Sequence, residues 1–113
     1  MPATRTLRQS DDLLWKALAD PSRRAILDLL RKRPMTTTEI GEHFAMSRFG
    51  VMKHLRVLAG AELVIVRPEG RERFQYLNPV PIQRICERWL RPFSAASAQA
   101  LLRLKDLAEK EPS

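Results

Sequence analysis

Apolar residues recur every three or four positions through the first half of the chain, the spacing of one face of an α-helix. This spacing predicts four helices: the first from Ser10 or Asp11 to about Ala19, then 21–32, 37–44 and 48–60. Asp20 is suited to cap the second helix, and Pro21 is acceptable at its first position. Thr36 or Thr37 is suited to cap the third helix, and Ser47 the fourth.

The pattern changes after the fourth helix to one typical of a β-hairpin. The run 63–67 is short and β-branched, 68–70 favours a turn, and 71–77 alternates between two faces. From 81 to 107 the spacing is helical again, and Pro92 is expected to kink or split that helix because it lacks a backbone N–H. This order predicts a mainly α fold with a small β-hairpin, a winged helix-turn-helix.

The 113 residues fit one compact domain. The expected organisation is a flexible arm over 1–9, one winged helix-turn-helix domain with a C-terminal dimerisation helix over 10–108, and a tail over 109–113. No apolar run is long enough to span a membrane, and the first residues lack the apolar stretch of a signal peptide. With a single cysteine, the sequence favours a reducing, cytoplasmic location and no membrane partner.

The chain carries 20 Lys and Arg against 13 Asp and Glu, a net charge of +7. Most of the excess lies in residues 21–78, where eleven bases face six acids. Arginine supplies 15 of the 20 bases, and its forked guanidinium suits phosphates and guanine edges. The charge therefore favours a polyanion as partner, with a solvated cationic surface as the alternative.

The fourth predicted helix combines a buried stripe, Val51, Leu55 and Leu58, with a basic opposite side, as in a helix that reads the DNA major groove. Arg48 lies nearest its N-terminus and is expected to point deepest. Phe49 and Met52 are expected either to contact thymine methyl groups or to pack on the preceding helix. The predicted DNA-binding residues are Ser47, Arg48, Phe49, Met52, Lys53, His54 and Arg56 on this helix and Arg71 and Arg73 on the hairpin. For His54, packing inside the protein is the alternative to a phosphate contact.

Three segments resemble the ArsR-type winged-helix repressors: 14–27 (LWKALADPSRRAIL), 46–58 (MSRFGVMKHLRVL) and 70–77 (GRERFQYL). The resemblance covers about residues 12–90. It implies a dimeric transcription factor, usually a repressor, that binds a palindromic double-stranded DNA operator. It also implies a homodimer built by the first and last helices, with interface residues Leu14, Trp15, Leu18, Ile85, Trp89, Leu90 and Phe93. Met52 departs from the family pattern, which usually has a serine there.

The candidate metal ligands also depart from the metal-sensing members of that family, which carry a Cys-x-Cys box in the third helix. Here that helix holds 38–42 (TEIGE), and no histidine follows His54. We therefore expect no metal and no cofactor, and the inducing ligand is unknown. Cys86 lies among apolar residues, so a buried thiol is one interpretation and a redox switch is another. No catalytic motif is present, so an enzyme is not expected; a winged-helix protein-interaction module without DNA binding is the alternative function.

Overall fold

A computed structural model describes residues 7–92 and 95–110 of the chain. The elements are α1 (Leu7–Leu18), α2 (Pro21–Lys32), β1 (Met35–Thr36), α3 (Thr37–His43), α4 (Arg48–Gly60), β2 (Val64–Glu69), β3 (Glu72–Leu77), α5 (Val80–Trp89) and α6 (Ala95–Lys110). Residues Met1–Ile82 form one compact unit, and Gln83–Ser113 form a second. None of the described helices is both long and apolar enough to cross a membrane.

The turn between α1 and α2 is closed by the side chains of three residues that lie within a five-residue segment of the sequence. Asp20 caps α2 as predicted, because its carboxylate accepts a hydrogen bond from the Arg23 backbone N–H at 3.0 Å. The Arg23 guanidinium reaches back to α1 and donates from Nε to the carbonyl of Ala17 at 2.8 Å. Arg24 donates to the carbonyl of Leu18, also at 2.8 Å. The last carbonyls of α1 have no partners inside the helix, so these two arginines stabilise its C-terminus.

Helix α3 begins with a capping box. The Thr36 hydroxyl accepts from the Glu39 backbone N–H at 3.2 Å, and the Glu39 carboxylate accepts from the Thr36 N–H at 3.2 Å. Arg33 donates to the other carboxylate oxygen of Glu39 at 2.8 Å, which ties the end of α2 to this cap. The start of α3, the first helix of the helix-turn-helix, is therefore stabilised by the capping box and by an ion pair.

The predicted hairpin belongs to a three-stranded antiparallel sheet of order β1-β3-β2. Strand β1 was not predicted; its Thr36 lies opposite Phe74 of β3. The predicted turn at 68–70 is wrong by about two residues, because Pro68 is paired within the ladder and Gly70 and Arg71 connect the strands. Proline is tolerated there because β2 is an edge strand. Gly70 has φ +63°, a conformation that glycine adopts without strain and that suits the first position of a two-residue hairpin turn.

The core of the first unit lies between α1–α4 and the sheet. The predicted stripe on α4 is confirmed: Val51, Leu55 and Leu58 are all buried. They share the core with apolar side chains from the other elements, including Leu14, Ala17, Ile26, Leu30, Ile40 and Leu63. The core therefore fixes which side of α4 faces outward.

Several predicted boundaries are corrected. Helix α1 begins at Leu7, three residues before the earliest predicted start, and ends at Leu18. The helical region predicted over 81–107 is two helices, α5 and α6, with Pro92 between them as expected of a residue that interrupts helix hydrogen bonding. Helix α6 continues to Lys110, past the predicted start of the tail. The division into one domain over 10–108 stays a prediction.

Candidate nucleic-acid interface

Helix α4 follows a tight turn after α3 and is capped by Ser47, whose hydroxyl accepts from the Gly50 backbone N–H at 3.1 Å. With its inner stripe fixed in the core, its outer side presents five of the residues predicted to bind DNA. All five are exposed: Arg48, Phe49, Met52, Lys53 and Arg56. Ser47 is also exposed, and its hydroxyl serves the cap. The predicted face of α4 is therefore available to a partner.

Phe49 and Met52 both lie on this face, and they differ in exposure. Phe49 is 76% exposed and Met52 is 43% exposed. The alternative in which Phe49 packs against the preceding helix is therefore wrong. Met52 is more than half covered and borders the cleft described below, so for this residue both alternatives stay predictions.

His54 does not share the outward direction of Lys53 and Arg56. Its side chain is half-buried, and Nδ1 lies 3.9 Å from a carboxylate oxygen of Asp20, the residue that caps α2. That nitrogen is buried and, among the described residues, has no hydrogen-bond partner. Of the two sequence-based interpretations of His54, the geometry favours packing inside the protein over a DNA contact.

A cleft of about 610 Å³ separates the start of α3, the start of α4 and the tip of the hairpin. Its lining combines hydroxyls with basic side chains: Thr36, Thr37, Thr38, Glu39, Arg48, Met52, Arg71, Glu72 and Arg73. The fold thus brings Arg48 of α4 and the two predicted hairpin arginines to one site. Sequence reasoning missed the threonines, although a run of three hydroxyl residues at the start of a helix-turn-helix is a visible signal.

The electrostatics of the cleft favour an anion. The Arg33 guanidinium and the Thr36 N–H hold the pKa of Glu39 below its ordinary value of 4.5, so this carboxylate is charged at neutral pH and already paired. The three arginines that line the cleft face one other acid, Glu72. Guanidinium groups with nearby hydroxyls are the donors that proteins use for phosphate oxygens.

The hairpin that carries Arg71 and Arg73 is braced on one face. The Tyr76 hydroxyl donates to a carboxylate oxygen of Glu69 at 3.0 Å, which raises the pKa of Tyr76. The Arg67 guanidinium lies 6.0 Å from the centre of the same ring. These contacts link the base of the hairpin to its tip, where Arg71 and Arg73 are exposed.

The six predicted dimer residues that the structure describes differ in burial. Trp15, Trp89 and Leu90 are exposed, as an interface between copies requires, and Leu18 and Ile85 are half-buried. Leu14 is corrected: its side chain is only 2% exposed, so it belongs to the core of its own chain. Phe93 lies outside the described residues.

Cys86 on α5 is a half-buried free thiol. Among the described residues, no group of three or more His, Cys, Asp or Glu side chains is arranged to hold a metal ion.

Comparison with known proteins identifies the fold and its family. Residues 18–67 match the family described as a helix-turn-helix domain. The chain is 42% identical over 71 residues to the HTH-type transcriptional regulator Rv2034 of Mycobacterium tuberculosis, a match over 63% of this chain and 66% of that protein. It is 39% identical over 70 residues to the transcriptional repressor SdpR of Bacillus subtilis, over 62% of this chain and 78% of SdpR.

The solved structures agree with the sequence relatives. The crystal structure of the ArsR family transcriptional regulator RHA00566 has a TM-score of 0.67 and 26% identity, and the match covers 96% of this chain and 100% of that one. The chain belongs to the ArsR family of transcriptional regulators. The relatives are named as regulators, so the expectation that this ArsR-family chain is not an enzyme is confirmed at the level of the family.

A second structure of this ArsR-family fold is the solution structure of the homodimeric winged helix-turn-helix DNA-binding domain Mb0332 from Mycobacterium bovis. It has a TM-score of 0.63 at 22% identity, and the match covers 81% of this chain and 96% of that one. The winged helix-turn-helix fold predicted from the order of the elements is confirmed.

Proposed function

We propose that this ArsR-family regulator is a dimeric repressor that binds a palindromic operator in double-stranded DNA. Helix α4 enters the major groove, and the β2–β3 hairpin acts as a wing. The observation that carries the proposal is the outer side of α4: Arg48, Lys53 and Arg56 face away from the core, where an α-helix in the major groove meets base edges and phosphates.

The residues that line the cleft beside α4 are suited to contact the phosphates of one DNA strand. Arg71 and Arg73 stand on the wing side of the cleft, and the hydroxyls of Thr37 and Thr38 border the α3 side. Contacts of this kind fix position without reading sequence. In this arrangement Arg48, which borders the cleft from α4, lies where it can reach the first base edge beside the bound phosphates.

A homodimer completes the proposal, because two copies related by a twofold axis read two half-sites of a palindrome. The exposed Trp15 on α1 and the exposed Trp89 and Leu90 at the end of α5 support an apolar interface. Leu18 and Ile85 are retained as interface residues, and so is Phe93 from the sequence-based prediction. Mb0332, whose solution structure is described as homodimeric, has the same fold.

We infer that the protein is located inside the cell, because its proposed partner is DNA. No membrane partner is proposed. The proposal includes no metal, since the third helix has Thr38 to Glu42 where the metal-sensing members of the family carry cysteines. A redox role for Cys86 and the nature of the inducing ligand stay open predictions from the sequence.

Selection of bound duplexes from a random DNA pool tests this function. We expect the protein to enrich a duplex with two inverted half-sites. Its affinity for that duplex should fall by roughly 10³-fold or more between 50 and 200 mM salt, because several phosphate contacts per dimer release counterions. A protein-interaction module without DNA binding would enrich no sequence, and that result would overturn the proposal.

A further inference from the structure

Phe49 and Met52 form a pair of large apolar side chains on the outer side of α4. They are three residues apart, so they are neighbours on the helix surface. The fully buried Leu58 lies nine positions after Phe49, and at about 100° per residue this places the two on opposite sides of the helix. Phe49 is therefore directed away from the core, which agrees with its 76% exposure.

The surroundings of this pair restrict what can cover it. An isolated exposed apolar residue needs no explanation, but here two adjacent ones stand among Arg48, Lys53 and Arg56, all exposed. The matching surface has to offer negative charge at its margins and apolar groups between them. The major groove of DNA does so, because phosphates line its rims and the 5-methyl group of each thymine projects from its floor.

We propose that Phe49 and Met52 recognise thymine 5-methyl groups in the operator. This inference rests on the proposed function and names the chemical group that selects the half-site. Of the two, Phe49 is the more exposed and lies next to Arg48, so it contacts the methyl of a thymine close to the base or phosphate that Arg48 reaches. Double-stranded RNA does not fit this pair, because its bases lack the methyl and its major groove is too narrow for side chains to read.

Replacing thymine by deoxyuracil tests the inference directly, because it removes the methyl group and keeps every hydrogen-bonding group of the base. The probes are the duplexes enriched by the wild-type chain from the random pool, with the thymines of both half-sites replaced one symmetric pair at a time. Affinity is measured by fluorescence anisotropy at one salt concentration. We expect a loss of about fourfold per half-site at one or two thymine positions, the value for one buried methyl-sized group, and no loss elsewhere.

Two variants assign the effect to the side chain. Phe49→Ala is expected to bind the thymine duplex more weakly and to bind thymine and deoxyuracil duplexes equally well. The control is Val80→Ala, which removes an exposed apolar side chain at the start of α5, outside α4 and the wing; it should keep the wild-type preference for thymine. Because Phe49 is exposed, its truncation is not expected to affect folding, which thermal unfolding verifies.

The outcomes separate this inference from the function on which it rests. If the wild-type chain enriches duplexes but tolerates deoxyuracil at every position, the DNA-binding function stands and thymine recognition is wrong. A deoxyuracil effect that persists unchanged in both Phe49→Ala and Met52→Ala also overturns it. Failure to enrich any duplex overturns the function and the inference together, and leaves a protein partner as the occupant of the apolar pair.

Discussion

The imidazole Nδ1 of His54 lies 3.9 Å from a carboxylate oxygen of Asp20, so the helix proposed to read DNA contacts the cap of α2. Asp20 also accepts the backbone N–H of Arg23, which lowers the pKa of its carboxyl from 3.8. The neighbouring residue Lys53 points outward instead. His54 therefore contacts another part of the protein, whereas the adjacent Lys53 lies at the surface.

We expect His54→Ala to lower the melting temperature and to leave the preference among operator variants unchanged, because its side chain packs against Asp20. Lys53→Ala serves as the matched control with the opposite pattern. It should leave the melting temperature unchanged, weaken binding to all duplexes alike and reduce the salt slope by about 1 if it contacts a phosphate. Altered base preference in His54→Ala at unchanged stability would instead make His54 a DNA contact.

Arg48→Ala is expected to cost about 1–3 kcal/mol of binding free energy and to relax the preference at one base position, if Arg48 reads a base edge. The measurement is the affinity of the variant for the selected operator and for each single-base change in a half-site. Lys105→Ala is the control for loss of a positive charge, because Lys105 lies on α6 and pairs with Glu109 at the surface. Discrimination among operator variants equal to that of the wild type would mean that Arg48 contacts only phosphate.

The lowered pKa of Glu39 predicts a dependence of stability on pH. A carboxyl with a depressed folded-state pKa stabilises the protein above its ordinary value of 4.5, and that contribution is lost as the pH falls through the folded-state pKa. Glu39→Gln keeps an acceptor for the Thr36 N–H but removes the charge that faces Arg33. It should be less stable than the wild type at pH 7, and the difference should shrink as the pH falls below 4.5.

Thermal unfolding between pH 7 and pH 3 measures this difference. Glu42→Gln, an exposed position on the same helix, is the matched control and should follow the wild-type curve. A constant gap between Glu39→Gln and the wild type at all pH values would show that the cap geometry, and not the charge of Glu39, provides the stability.

Trp89→Asp is expected to convert the dimer to a monomer, because it places a charge in an apolar interface at a residue that is 58% exposed in the single chain. Sedimentation velocity measures the change, and affinity for a palindrome should fall with it. Ile65→Asp places the same charge at an exposed apolar position outside the proposed interface and should remain dimeric. A Trp89→Asp variant that sediments as a dimer would assign the interface to other residues.

The sequence predicted those parts of the fold that depend on local signals. Asp20, Pro21 and Ser47 marked helix starts because caps act within one turn of the chain, and Val51, Leu55 and Leu58 marked the buried side of α4 because the helical period is regular. The outward direction of Arg48 and Phe49 followed from the same period. The three segments that resemble the ArsR family led to the correct family.

What the sequence did not predict depends on contacts between distant residues. Strand β1 has only two residues and shows no alternation, and it exists because β3 pairs with it. Pro68 indicated a turn but lies in an edge strand, where a missing N–H costs no ladder hydrogen bond. His54 lies three residues after Val51 and four before Leu58, so the helical period places it beside the buried stripe. Its specific partner, Asp20 on another element, could not be predicted from that period.

Strand β1 has a mechanical consequence for the length of DNA that one copy covers. Thr36 is at once the partner of Phe74 on the wing and the cap of α3. The wing and the helix-turn-helix are thus joined by backbone pairing between β1 and β3. In the proposed complex, this pairing sets the distance between the major groove that α4 would enter and the flanking phosphates that the wing would contact, so an operator would have to match that spacing.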